Sequence, residues 1–189
     1  METQNNPFFN SALIVGMIFA FLTTATSLIV GYSVINSEPT GSLVTPSSFS
    51  FVIICFVVLF AGMFAVRHHV KEYESPLQMG RGAVIGLTTG VITAVFSTVL
   101  ALVWQLIDPA FNDNMMNALI ANFEAINEIP DAQKEEMIDG IYTQFQKQAT
   151  VAGQLTAMAT NAAFYGILNA LTGMLGVKLF APKSTNEEL

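Results

Sequence analysis

Charge is what this sequence has least of. Only 11% of its 189 residues are Asp, Glu, Lys or Arg, against 52% hydrophobic ones, and the mean hydropathy is +0.54. A soluble domain carries about 25% charged residues, so an ordinary water-soluble enzyme is excluded. Basic residues are the scarcer sign, seven against fourteen acids, which excludes a nucleic-acid binder, because phosphate contacts are built from Lys and Arg. Apolar content this high excludes a disordered chain. Cysteine occurs once, at Cys55 inside an apolar run, so no disulfide can form within the chain and the residue is expected to be a small buried apolar one. Histidine occurs only at His68 and His69. Neighbouring helical positions point about 100° apart, and no second Cys or third His completes a zinc site. No metal and no cofactor is expected.

What is present is long uncharged sequence. Thr3 to Ser37, Thr40 to Val66, Gly82 to Ile107 and Gln148 to Val177 contain no Asp, Glu, Lys or Arg. About 20 helical residues cross a hydrocarbon core of about 30 Å, and backbone groups in lipid must be satisfied within their own segment. The expectation is an all-α polytopic membrane protein, one membrane domain over 1–189, with spans at about 12–35, 49–66, 82–107 and 151–180. Met1 to Phe9 has no Lys or Arg and precedes an apolar stretch too long for a signal peptide, so the first segment is read as a retained span.

Orientation follows the basic residues, since Lys and Arg near span ends stay in the cytoplasm. Arg67, Lys71 and Arg81 fall in the second connection and Lys178 and Lys183 at the C-terminus, while the first connection has none. Both termini are therefore expected inside. The third connection, about 108–150, lies outside and holds most of the acidity, eight acids against two lysines from Asp108 to Lys147. Asp108-Pro109 stops the third span. Asn112 or Asp113 can cap a helix whose apolar positions run Met115, Met116, Leu119, Ile120, Phe123 and Ile126. Pro130-Asp131 starts a second amphipathic helix bearing Met137, Ile138, Ile141, Tyr142 and Phe145, which has no strong breaker before the fourth span and is expected to run into it. The two outer helices either pack as a hairpin or dock a second protein or a second copy.

This arrangement resembles the bacterial four-span family catalogued as domain of unknown function 4199. The resemblance rests on Val66-Arg67-His68-His69-Val70-Lys71-Glu72-Tyr73 leading to Gly80 and Gly86, on Leu106-Ile107-Asp108-Pro109-Ala110-Phe111, and on Gly166 to Lys178. Where family members carry a glycine-flanked, aromatic-containing link, this chain reads Ser75-Pro76-Leu77-Gln78-Met79-Gly80-Arg81. The resemblance implies four spans and an inner-membrane location, with the third connection periplasmic, and it implies no catalytic residue.

An ionisable group within a span is a functional hypothesis by default, and no expected span contains one. Proton-coupled transport, voltage sensing and an embedded carboxylate site lack their usual residue; His68 and His69, beside Arg67, read as interfacial. No catalytic signature appears elsewhere, so the chain is not expected to be an enzyme. Small residues form stripes instead: Gly82, Gly86 and Gly90 on the third span; Ala159, Ala163, Gly166, Ala170 and Gly173 on the fourth; Gly16, Ala20, Thr24, Ser27 and Gly31 on the first. Such stripes let backbones approach, either within the chain or across a homodimer. A polar line, Gln154, Asn161, Tyr165, Asn169 and Thr172, follows the fourth span, with Gln105 near the outer end of the third. These residues glue helices or line a cavity for a neutral polar ligand or lipid headgroup. Two readings remain: a non-enzymatic membrane protein acting through self-association or protein partners within lipid, and a channel or transporter component for a small polar solute.

Overall fold

The computed structural model describes residues 7–41, 46–73 and 76–182. Lys183 and Ser75, used above for orientation and for the link, lie outside the described residues. Seven helices follow in order: α1 Pro7–Ile35, α2 Pro46–Leu59, α3 Ala61–Tyr73, α4 Met79–Ile107, α5 Phe111–Glu124, α6 Asp131–Ala149 and α7 Val151–Phe180. No strand occurs among the described residues. Both α1 and α2 begin on proline, whose missing N–H costs nothing in a first helical turn.

Among the described residues four helical segments are long and apolar enough to cross a membrane: Pro7–Ile35, Val52–Tyr73, Met79–Ile107 and Val151–Phe180. The second continues past the expected end at Val66, so His68 and His69 are helical and not in a link. It is made of α2 and α3 with a break at Phe60, where the backbone ladder is interrupted. The Gly62 N–H freed by that break donates to Asn169 Oδ1 of α7 at 2.5 Å. In lipid no water would satisfy such a group, and a neighbouring helix must do so.

The bundle interior is richer in small and hydroxylic residues than its surface, which carries many large apolar ones. Many buried positions are small or hydroxylic, such as Ser11, Ala12, Ala20, Thr89, Thr93 and Ala94, beside a few larger ones such as Val34, Val58 and Ile85, while Phe21, Ile29, Phe56, Val84 and Leu106 are exposed. Large side chains face outward where lipid would receive them, and small ones let helices meet. Only at the end holding the α3–α4 link is there a conventional apolar cluster, of Val15, Ala65, Val66, Leu77, Ile85 and Val177. Leu77 brings the link itself into that core.

Three local expectations are corrected. The helix from Asp131 does not run into the fourth span. Thr150 is extended, donates to the Lys147 carbonyl at 2.7 Å and accepts from Gly153 N–H at 3.0 Å, so a capping threonine separates α6 from α7. A Cβ on Gly153 would overlap the Lys147 carbonyl oxygen, so glycine is what allows the close turn. Neither Asn112 nor Asp113 caps α5. Its N-cap is Ala110, with no side-chain cap, because the turn is already closed by Phe111 N–H on the Asp108 carbonyl at 3.2 Å. Cys55, expected to be buried, is half-buried and free.

Candidate functional site

The glycine stripe of α4 lies against α7 of the same chain. A Cβ on Gly82 would overlap Val177, one on Gly86 the Asn169 carbonyl and one on Gly90 the Tyr165 carbonyl, while one on Gly173 would overlap the Gly82 carbonyl. Ala170 joins this seam through its Cα, 3.2 Å from where a Cβ on Gly86 would sit. Gly166 is buried there with only ordinary contacts to Val91 and Leu87, and Ala163 is exposed and takes no part. Asn169 is fully buried at the junction of α3, α4 and α7, its amide donating to the Tyr165 carbonyl at 2.8 Å and its oxygen accepting from Gly62. A second seam joins α1 to α4, where the Thr93 hydroxyl lies 3.2 Å from the Gly16 carbonyl and a Cβ on Gly16 would come within 2.7 Å of Ile92.

Beyond Tyr165 the same helices part. With the half of the bundle that adjoins α5 and α6 termed outer and the half that adjoins the α3–α4 link termed inner, a cavity of about 300 Å³ lies between the outer halves of α1, α4 and α7. From α1 come Thr23, Thr24 and Ser27; from α4, Ser97, Thr98, Trp104 and Gln105; from α7, Gln154, Asn161 and Tyr165. Phe111 and Asn112 of α5 and Gln148 of α6 stand at its outer end. The wall holds hydroxyls, amides, an indole and a phenol between the apolar side chains of Leu28, Ala101, Leu102, Phe111 and Ala157, with no carboxylate, amine, guanidinium or imidazole. Ser97 and Thr98 turn their hydroxyl protons to the Ala94 carbonyl at 3.0 and 2.8 Å, leaving oxygen lone pairs free. Thr23 Oγ1 and Thr24 Oγ1 are buried without a hydrogen-bond partner, and the buried Trp104 Nε1 has the Tyr32 hydroxyl beside it without a well-formed bond. All three residues belong to this wall.

Four of the five residues expected around a polar cavity, Gln105, Gln154, Asn161 and Tyr165, are thus brought together; Asn169 is not, being taken by the Gly62 N–H. Thr23 and Trp104 carried no sequence signal. Thr24 and Ser27 did, but as small residues of a packing stripe, because size and hydroxyl chemistry are written in the same letters. Asn112 and Gln148 reach the site only through the turn at Asp108 and the break at Thr150.

The model of the family described as Protein of unknown function (DUF4199) matches residues 10–178. The chain belongs to this family. No curated protein and no solved structure matches it.

In this DUF4199 protein the Asp108-Pro109 turn is fastened to α1. The Tyr32 hydroxyl donates to Asp108 Oδ2 at 2.5 Å, and the Tyr32 ring meets Trp104 and Phe111 edge-on at 6.3 and 5.1 Å. Gly31 makes room for Phe111, whose ring would lie 2.5 Å from a Cβ there. The outer rim of the cavity is therefore held by a clamp between α1 and the start of α5. Gly41, with φ of +64°, brings the first connection against the Ala125 carbonyl, where a Cβ would sit at 2.5 Å.

At the opposite end, His69 is 2% exposed and stacked between Phe8 and Tyr73, with ring centroids 4.9 Å away on each side. Buried Ser11 Oγ lies 3.2 Å from His68 Nδ1 and 3.5 Å from His69 Nδ1. The two rings thus address one hydroxyl. No group of three or more His, Cys, Asp or Glu able to hold a metal ion occurs among the described residues.

Proposed function

We propose that this integral membrane protein is a non-enzymatic component that receives a small uncharged polar solute from its outer side, in a channel or transporter role. The observation that supports this reading is the cavity of about 300 Å³ in the outer half, whose wall mixes hydroxyls and amides with apolar side chains and carries no charge. The inner half, closed by the glycine seams, makes this an outward-open arrangement. Passage would require α4 and α7 to part along Gly82, Gly86 and Gly90. Proteoliposomes facing gradients of glycerol, urea or glucose test it by light scattering: protein-dependent swelling or saturable uptake is expected, and flux equal to that of protein-free liposomes for every neutral solute counts against it.

The reading includes a bacterial inner-membrane location with both termini cytoplasmic and 108–150 periplasmic. In its favour, Arg67, Lys71, Arg81 and Lys178 gather at one end of the bundle, at the end of α3, the start of α4 and the end of α7. Reporter fusions that place 108–150 in the cytoplasm would overturn this orientation. A second reading, docking of a protein partner or a second copy on the outer segment, is favoured by α6, which buries no residue and exposes Met137 and Tyr142. Such a copy would use α6, since the α4 glycines are covered by α7. Crosslinking in native membranes that yields only monomer, with and without α6, would remove it.

A further inference from the structure

The outer cavity supports a finer inference, which rests on the solute-binding reading above: the chemical class of what it takes. Charge settles the first property. An ion of either sign would leave water for a wall with no countercharge, and the carboxylate closest along the chain, Asp108, is already engaged by Tyr32. The hydrogen-bond inventory settles the second. Buried polar groups are nearly always paired, and helical threonines in this bundle pair with the carbonyl four residues back: Thr89 at 2.7 Å, Thr93 at 2.9 Å and Thr98 at 2.8 Å. Thr23 and Thr24 do neither this nor anything else with their hydroxyls, although Thr23 is only 3% exposed. They are consecutive on α1 and share a cavity wall with Trp104, whose indole lies beside the Tyr32 hydroxyl.

An indole N–H only donates, whereas hydroxyls and primary amides both donate and accept. A molecule that suits this wall offers several donors and acceptors at close spacing, and hydroxyl groups supply both from one atom. The cavity volume lies at the small end of the range for ligand sites, about 300 to 1,000 Å³. We infer that the outer cavity binds a neutral, hydroxyl-rich moiety, a polyol or single sugar unit, with the Thr23 and Thr24 hydroxyls turning towards it as hydrogen-bonding partners and the Trp104 indole beside them. A free sugar and the sugar headgroup of a lipid present the same chemistry to it.

Trp104 is the only tryptophan in the chain, so its emission reports this wall directly. The full-length protein in phosphatidylcholine nanodiscs would be titrated with glucose, with its charged relatives gluconate and glucosamine, and with urea, and compared with nanodiscs containing monoglucosyl diacylglycerol. A saturable emission shift and a raised Tm are expected with glucose, the glucolipid or both, and none with gluconate or glucosamine. Response to glucose identifies a free sugar as a source, and response to the glucolipid alone identifies the bilayer. Thr23→Val and Thr24→Val are each expected to weaken the response about tenfold while leaving the ligand-free Tm unchanged or higher, because each removes a buried hydroxyl that has no partner. A lowered ligand-free Tm, or wild-type binding by both variants, would overturn the assignment, as would equal binding of the charged sugars. A response to urea with none to glucose or glucolipid overturns the sugar class and leaves the solute-binding reading standing; silence towards every neutral probe overturns both.

Discussion

The inner and outer halves of the bundle are built from the same α1, α4 and α7, yet one is closed and the other open. On α4 the inner seam reads Gly82, Gly86 and Gly90, and the outer wall reads Ser97, Thr98 and Gln105. On α7 the inner seam reads Asn169 and Gly173, and the outer wall Gln154 and Asn161. Glycine brings backbone to backbone, and in lipid that contact is the main source of helix association, since burial of apolar surface adds little. Hydroxyl and amide side chains hold the helices further apart and coat the resulting space. The difference teaches that residue size at the seam, more than hydrophobicity, decides where this protein is solid and where it is hollow.

That contrast can be broken first where it is tightest. Gly86→Ala places a methyl group on the Asn169 carbonyl, with backbone and no flexible side chain to yield. A loss of about 3 kcal/mol, at the upper end for overpacking, is expected as a collapse of the monodisperse peak in detergent chromatography. Asn169→Leu comes next: it leaves the Gly62 N–H unsatisfied in the interior, and about 2 kcal/mol is expected from thermal melts, within the range for an orphaned buried donor. Thr150→Ala removes the cap between α6 and α7. About 1 kcal/mol is expected, read as faster amide exchange in the first turn of α7 and at the end of α6, with the inner seam unaffected. Ala163→Leu sharpens the comparison from the other side. Although it lies in the same sequence stripe as Gly166 and Gly173, Ala163 is exposed, and a change within about 0.5 kcal/mol is expected in the same melts.

The four spans were legible because uncharged length is enough to specify them. So were the turn at Asp108-Pro109 and the start of α6 after Pro130, where proline restricts the backbone whatever surrounds it. The Thr150 break was not legible. Threonine is no breaker by itself, and it acts here because Gly153 lets the chain fold back onto Lys147. The cavity was half legible: Gln105, Gln154, Asn161 and Tyr165 announce polarity on a helix face, whereas Asn169, on the same face, is drawn into a three-helix junction by a backbone fault at Phe60. Where two helices diverge is a property of pairs, and a single sequence read one helix at a time does not carry it. For the same reason Thr23 and Trp104 became visible only once their neighbours were placed.

The central claim, a wet outer half above a dry inner half, is tested most directly by labelling single cysteines in a Cys55→Ala background with a membrane-impermeant maleimide added from the outer side. Ser97→Cys and Asn161→Cys are expected to react, and Thr89→Cys, on the closed part of α4, to remain unlabelled until the protein is denatured. Protection of Ser97→Cys and Asn161→Cys equal to that of Thr89→Cys would mean that the outer half is as closed as the inner, and would contradict the account.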